Sequence, residues 1–191
     1  MQLKLKTCEV RGFKECDAGS IAALANNRKI WLNLRDAFPH PYHLRDAQQF
    51  IKMASTLEPQ RIFTIALADK AVGAIGFNPG KDVECISAEI GYWLGEPYWG
   101  RGIMTEVLQA VTKYAMQKFS LTRMFALPFQ WNVASFRVLE KAGYKLEGRL
   151  HNSCIKDGKI IDQLQYAFTI EPSVGATYQS VSFTTQNPEN V

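Results

Sequence analysis

Two short stretches of the chain carry residue types and spacings suited to chemistry. Gly100-Arg101-Gly102 lies between a strand-like run ending at Leu94 and a helix-like run opening at Ile103. Glycines there let the backbone turn and approach a ligand with no Cβ in the way. Unsatisfied amides and the dipole at a helix start favour a phosphate or pyrophosphate. Arg101 adds a cation at the rim. Taken alone, a Gly-x-Gly turn before a helix is equally well explained by the steric demands of the turn. Two familiar phosphate loops are excluded: a dinucleotide fingerprint needs a third glycine at position 105, where Thr105 stands, and Gly-Lys-Ser/Thr is absent. The second stretch is Asn132-Val133-Ala134-Ser135. Asn132 opens a helix-like run, a position where Asn caps well. Ser135 follows one turn later on nearly the same side, where a hydroxyl can also bond to nearby backbone.

The surrounding pattern supplies the elements that would hold these residues. Gln2 to Val10 alternates and reads as a strand, and Asp17 reads as the N-cap of a helix carrying Ile21, Leu24 and Ala25. Ile30 to Tyr42 reads as a short helix entering an aromatic, proline-punctuated loop. Leu44 to Leu57 reads as an amphipathic helix. Arg61 to Leu67 and Ala71 to Phe77 read as a hairpin around Ala68-Asp69-Lys70. Cys85 to Leu94 is the next strand, with Ala88, Ile90, Tyr92 and Leu94 on one face and Glu89, Gly91 and Trp93 on the other. A long helix follows from Ile103 to Phe119, then a strand from Arg123 to Pro128 and a helix from Asn132 to Ala142, stopped by Gly143. Tyr144 to Leu150, Asn152 to Ile155 and Leu164 to Ile170 read as closing strands, with a turn at Asp157-Gly158. This order gives an α+β (mixed α/β) domain over residues 1–170 rather than a regular βαβ repeat. Residues 171–191 read as a polar tail in which Val181 and Phe183 alternate like an edge strand.

The bulk numbers restrict the function classes. The 191 residues suit one domain, and 47% hydrophobic with 21% charged is ordinary for a globular chain. A net charge of +4 accompanies no run of five basic residues, so direct nucleic-acid binding is not expected. Cys8, Cys16, Cys85 and Cys154 form no C-x-x-C pair, and His40, His43 and His151 stand apart from them, so no metal site is expected. The free thiols fit a reducing compartment. No signal-type or membrane-spanning apolar stretch occurs, and a cytoplasmic location is expected.

Four blocks, in this order, resemble the GNAT superfamily of N-acetyltransferases. Within it the chain resembles the branch that acetylates ribosomal-protein N-termini on alanine or serine, together with related small-amine acetyltransferases. The first block is Asn26-Asn27 through Asp36, with Phe38-Pro39-x-Pro41-Tyr42 and Asp46-Ala47. The second is Ala71-Val72-Gly73-x-Ile75-Gly76. The third joins Ala88-Glu89-Ile90-Gly91-Tyr92-Trp93-Leu94 to Tyr98-Trp99-Gly100-Arg101-Gly102-Ile103-Met104-Thr105-Glu106. The fourth runs from Asn132-x-x-Ser135 through Glu140-Lys141-x-Gly143-Tyr144 to Glu147-Gly148. The superfamily's usual Gln or Arg three residues before the first loop glycine is replaced by Pro97, which shifts the expected contacts there to backbone amides.

The resemblance implies a central, mostly antiparallel, splayed sheet flanked by helices, with acetyl-CoA as cosubstrate and no metal. It implies cofactor contacts from Trp93, Leu94, Trp99, Gly100, Arg101, Gly102, Ile103, Asn132 and Ser135, and an oxyanion donor at the Leu94 amide. Glu89 is the candidate base, and Ser135 the hydroxyl that stabilises or protonates the leaving thiolate. Trp31, Arg35, Phe38, Pro39 and Tyr42 are expected to wall the acceptor pocket, and Asp162 is a further carboxylate that could attract an amine. The expected acceptor is a primary amine, foremost the N-terminus of a ribosomal protein. The alternatives are a polyamine, amino acid or antibiotic acceptor, and a non-catalytic CoA-binding regulatory domain. A monomer or homodimer with no membrane partner is expected.

Overall fold

The computed structural model describes residues 2–171. The elements are β1 (Gln2–Lys4), β2 (Glu9–Arg11), α1 (Ala18–Ala25), α2 (Arg28–Trp31), α3 (Leu44–Ser55), β3 (Ile62–Leu67), β4 (Lys70–Pro79), β5 (Ser87–Leu94), α4 (Ile103–Lys118), β6 (Arg123–Ala126), α5 (Val133–Lys141), β7 (Lys145–Lys156) and β8 (Lys159–Thr169). The strands form one eight-stranded sheet in the order β1-β2-β3-β4-β5-β6-β8-β7. Every pairing is antiparallel except β5 with β6. The expected polar tail lies outside the described residues.

Helices cover both faces of the sheet. On one face, Val107, Leu108, Val111 and Ala115 of α4 and Leu139 of α5 pack with Ile75, Phe77, Ile90 and Met124. On the other, Ile21 and Ala25 of α1, Ala47 and Ile51 of α3, and Tyr42 form a second core that takes in Phe38 and Trp93. The two-residue period of β5 explains the split. Ala88, Ile90 and Leu94 belong to the α4–α5 side, and Tyr92 packs there too. Trp93 belongs to the α1–α3 side. Each fully buried aliphatic side chain contributes about 1.5–3 kcal/mol, so this alternation fixes which face of β5 each functional side chain occupies.

The feature that positions the site is a parting of strands. β5 pairs with β6 only through Ser87↔Arg123, Ala88↔Met124 and Glu89↔Phe125. It stays paired with β4 as far as Gly73↔Leu94. From Ile90 to Leu94, β5 therefore has a strand on one side and a gap on the other.

Several local expectations are corrected. The N-terminal run is a hairpin, Leu3 opposite Val10, rather than one strand. Its turn is closed by the Leu5 amide on the Cys8 carbonyl and held by Glu106, which accepts from the amides of Lys6 (2.7 Å) and Thr7 (3.2 Å). Asp17 is the N-cap residue of α1, as expected, although its side chain makes no cap bond. Its carboxylate is drawn back to Arg11 (2.7 and 2.9 Å) and the Lys14 amide (2.8 Å). β7 runs unbroken through the expected break near residue 151, because irregular register between Leu150 and Cys154 absorbs the extra residues.

Candidate functional site

The glycine loop adopts a conformation that its residue types dictate. Gly100 and Gly102 have φ of 74° and 76°, left-handed values at which a side chain is strained. Gly102 is the N-cap of α4. Among the described residues, no backbone N–H from Gly100 through Thr105 donates to a protein acceptor. A Cβ built on either glycine would meet nothing within 4 Å, so the loop's outer side is open. Unpaired amides converging on the start of a sixteen-residue helix fit a pyrophosphate. Ile103 is buried and anchors the helix start. Arg101 is exposed, with its guanidinium 5.6 Å from the Tyr98 ring centroid. Trp99 is 44% exposed, yet its indole N–H donates to the Leu94 carbonyl at 2.6 Å, tying the loop to the free end of β5.

The other predicted cofactor residues stand beside the strand gap. The Asn132 side chain accepts from the Ser135 amide at 3.1 Å, as an N-cap does. The Ser135 hydroxyl lies 2.9 Å from the Tyr92 hydroxyl on β5. Tyr92 is thus a site residue that sequence reasoning placed only on the core face. The available signal was a phenol in an otherwise apolar row, since a buried tyrosine hydroxyl requires a partner. Burial pushes the Tyr92 phenol well above its ordinary pKa, and the Ser135 bond offsets this only in part.

The opposite side of β5 carries the acceptor-side residues. Glu89 accepts from the Arg35 guanidinium at 2.5 Å, with Glu89 29% and Arg35 65% exposed. Phe38 sits 4.7 Å from Tyr42 and 5.8 Å, edge-on, from Trp93. Tyr42 is 4% exposed and backs Phe38 as part of the core. Its phenol is pushed up to about 12 by burial and the nearby Asp46.

Trp31 is half-buried and in contact on its ring with charged and aromatic neighbours. It stacks on His40 at 5.6 Å, and the Lys156 ammonium lies 3.7 Å from its ring centroid. Lys156 is 1% exposed and also donates to Asp36 at 2.6 Å. Arg28, 5.3 Å from the same ring, bonds Asp157 at 2.7 Å. The tip of the β7–β8 hairpin is thereby strapped to the α2 loop. No sequence pattern announced Lys156.

Asp162 is occupied elsewhere. It accepts from the Asn152 amide (2.8 Å) and Arg149 (2.5 Å) and lies 3.1 Å from His151. The Asn152 amide, then the Arg149 bond, hold its carboxyl below the usual carboxylate range. Its partners Arg149 and the Asn152 amide lie within the same hairpin. Among the described residues, no group of three His, Cys, Asp or Glu side chains could hold a metal, and no helix is long and apolar enough to cross a membrane.

The chain matches known proteins over most of its length. The Acetyltransferase (GNAT) domain model matches residues 8–145. A probable N-acetyltransferase of Bacillus subtilis (strain 168), YjcK, is 39% identical over 154 residues, covering 76% of this chain and 84% of that one. A ribosomal-protein-serine acetyltransferase of Escherichia coli (strain K12) is 32% identical over 161 residues, covering 82% and 87%. Among solved structures, RimL, a ribosomal L7/L12 alpha-N-protein acetyltransferase in complex with coenzyme A, superposes with a TM-score of 0.79 at 23% identity, covering 89% of this chain and 98% of that one. The splayed mixed sheet and the open glycine loop have their counterpart in sequence: this chain belongs to the GNAT acetyltransferase family.

Proposed function

We propose that the chain transfers the acetyl group of acetyl-CoA directly to a primary amine, and that this amine is a protein N-terminus. The observation that carries the cofactor site is the run of unpaired amides from Gly100 to Thr105 beside the gap in β5. Those amides would take the pyrophosphate, with no side chain required at Pro97. The unpartnered edge of β5 at Trp93-Leu94 would hydrogen-bond the pantetheine arm. Asn132 would shape the start of α5, and Ser135 would face the sulfur. The protein N-terminus is supported by the ribosomal-protein-serine acetyltransferase at 32% identity.

Bound acetyl-CoA supplies a thioester whose carbonyl carbon is open to attack. The residues of this chain divide the remaining work by face. Glu89, on the α1–α3 side with Arg35, Phe38 and Trp93, accepts the proton the amine loses as its nitrogen bonds to that carbon. The Leu94 amide donates to the carbonyl oxygen as charge gathers there. Ser135, on the α4–α5 side, donates a hydrogen bond to the departing sulfur, which keeps the electron pair of the C–S bond. No covalent bond to the protein forms, so no activated nucleophile is needed.

A thiol-release assay with acetyl-CoA and a panel of peptides with free N-termini, polyamines, amino acids and aminoglycosides tests the reading. Turnover is expected with peptides and not with their N-blocked forms. Turnover confined to small amines overturns the N-terminal acceptor and leaves the acetyltransferase reading standing.

A further inference from the structure

Beside the strand gap, the hydroxyl oxygens of Tyr92 and Ser135 lie 2.9 Å apart. We propose that Tyr92 is a positioning residue for acetyl transfer, donating its hydrogen bond to the Ser135 oxygen so that the Ser135 O–H points at the departing sulfur. The proposal builds on the reading of Ser135 given above and names the group that makes its hydroxyl directional.

A serine hydroxyl has one proton and three staggered positions for it. Left alone beside a gap, it spreads over all of them and also serves as an acceptor. A donor held against its oxygen restricts that freedom. Tyr92 satisfies the requirements of such a donor. Its ring is fixed by the register Ile75↔Tyr92 in the paired part of β5 and packs against the α4–α5 core. Ser135 is the one hydrogen-bond partner of its hydroxyl among the described residues. A phenol is a better donor than an aliphatic alcohol, and burial keeps this one protonated. The Ser135 backbone is fixed independently, because its amide donates to both the side chain and the carbonyl of Asn132. With the backbone held by Asn132 and the oxygen held by Tyr92, the hydroxyl proton is excluded from the position Tyr92 occupies and is left the two that point away from it.

The proton balance is closed. Neither Tyr92 nor Ser135 changes its net protonation. The amine loses one proton to Glu89, which returns it to solvent, and the thiolate takes one from solvent after the C–S bond has broken. Tyr92 acts only on the orientation of the hydrogen bond that meets the developing negative charge. A preset donor costs no reorganisation at that moment.

The test is a double-mutant cycle on the full chain with acetyl-CoA and a turned-over peptide, read as kcat, KM and melting temperature. Tyr92→Phe removes one oxygen and keeps the ring. It is expected to lower kcat about three- to tenfold, the worth of one neutral hydrogen bond, with KM for acetyl-CoA unchanged. In a Ser135→Ala background, the same change is expected to lower kcat no further. Equal losses in both backgrounds overturn the proposal, since a packing role does not depend on Ser135. Wild-type kcat in Tyr92→Phe also overturns it and leaves Ser135 untouched. Wild-type kcat in Ser135→Ala overturns the reading of Ser135 itself, and the role of Tyr92 falls with it. A 3-fluorotyrosine at position 92 keeps the hydroxyl and strengthens it as a donor. Its kcat is expected at or above wild type, and a fall overturns the proposal without any question of folding.

Discussion

Glu89 and Ser135 sit on opposite sides of β5, and in the proposed reaction the thioester would lie between them where β5 parts from β6. Their separation is a matter of sequence parity. Glu89 shares a face with Gly91 and Trp93, while Ser135 meets the other face through Tyr92. Glu89→Gln keeps the shape and the Arg35 contact but removes the proton acceptor. It is expected to lower kcat by about a hundredfold or more, the usual worth of a general base, while leaving KM for acetyl-CoA near wild type. Steady-state kinetics with a peptide acceptor checks this. Asp162 belongs to a different class. Its folded pKa lies below the ordinary value, so its contribution to stability is present above about pH 4 and is lost as pH falls through the folded pKa. Asp162→Asn is therefore expected to melt below wild type at neutral pH, with the difference shrinking as pH falls below the ordinary carboxylate value. A gap in melting temperature that persists or widens in acid would contradict the assignment. At this scale Glu89, Ser135 and Asn132 were named through the resemblance, since local spacing alone gave Asn132 and Ser135 only the reading of a helix cap and a first-turn hydroxyl. Tyr92 and Lys156 were missed because their partners are 43 and 120 residues away.

The glycine loop presents its amides beside the gap in β5, and the tip of the β7–β8 hairpin is strapped to the α2 loop. Gly102→Ala forces a side chain into a left-handed conformation at the N-cap of α4, at about 1–2 kcal/mol. The added Cβ meets no protein atom, so the loss is one of backbone conformation. A lower melting temperature and a raised KM for acetyl-CoA are expected together, with kcat at saturation changed less. The hairpin makes a separate prediction. Lys156 is buried against Trp31, but its ionic partner Asp36 is 68% exposed, so removing the ammonium leaves a carboxylate that water can solvate. Lys156→Met keeps the buried stem and is expected to stay within about 1 kcal/mol of wild type. Lys156→Ala opens a cavity and is expected to cost about 2–3 kcal/mol. Denaturant unfolding separates the two. Element types were readable from periodicity nearly throughout. Boundaries failed where a bond from elsewhere decides them: Glu106 holds the β1–β2 turn, and the β7 irregularity depends on pairing with β8.

Across the described residues, β5 and β6 are neighbours in the order β5-β6-β8-β7 and pair in parallel over three residues only, which leaves the gap beside Ile90 to Leu94. That order depends on pairings far apart in the chain, which no local pattern specifies. The four blocks resembling the GNAT superfamily implied only a mostly antiparallel, splayed sheet flanked by helices, not this order. A cofactor that binds the native state and not the unfolded chain stabilises it by mass action, about 2.7 kcal/mol at a hundredfold excess over Kd. Acetyl-CoA is therefore expected to raise the melting temperature, and Gly102→Ala to weaken that rise. The central claim is transfer from acetyl-CoA to a free N-terminal amine, and the most direct measurement is mass spectrometry of a peptide incubated with the chain and acetyl-CoA, with thiol release followed in parallel. One acetyl group on the α-amine of the free peptide, matched by one thiol released and absent from the N-blocked peptide, is the predicted result. A raised melting temperature with acetyl-CoA but no acetylated product from any amine would contradict it and leave a CoA-binding domain without turnover.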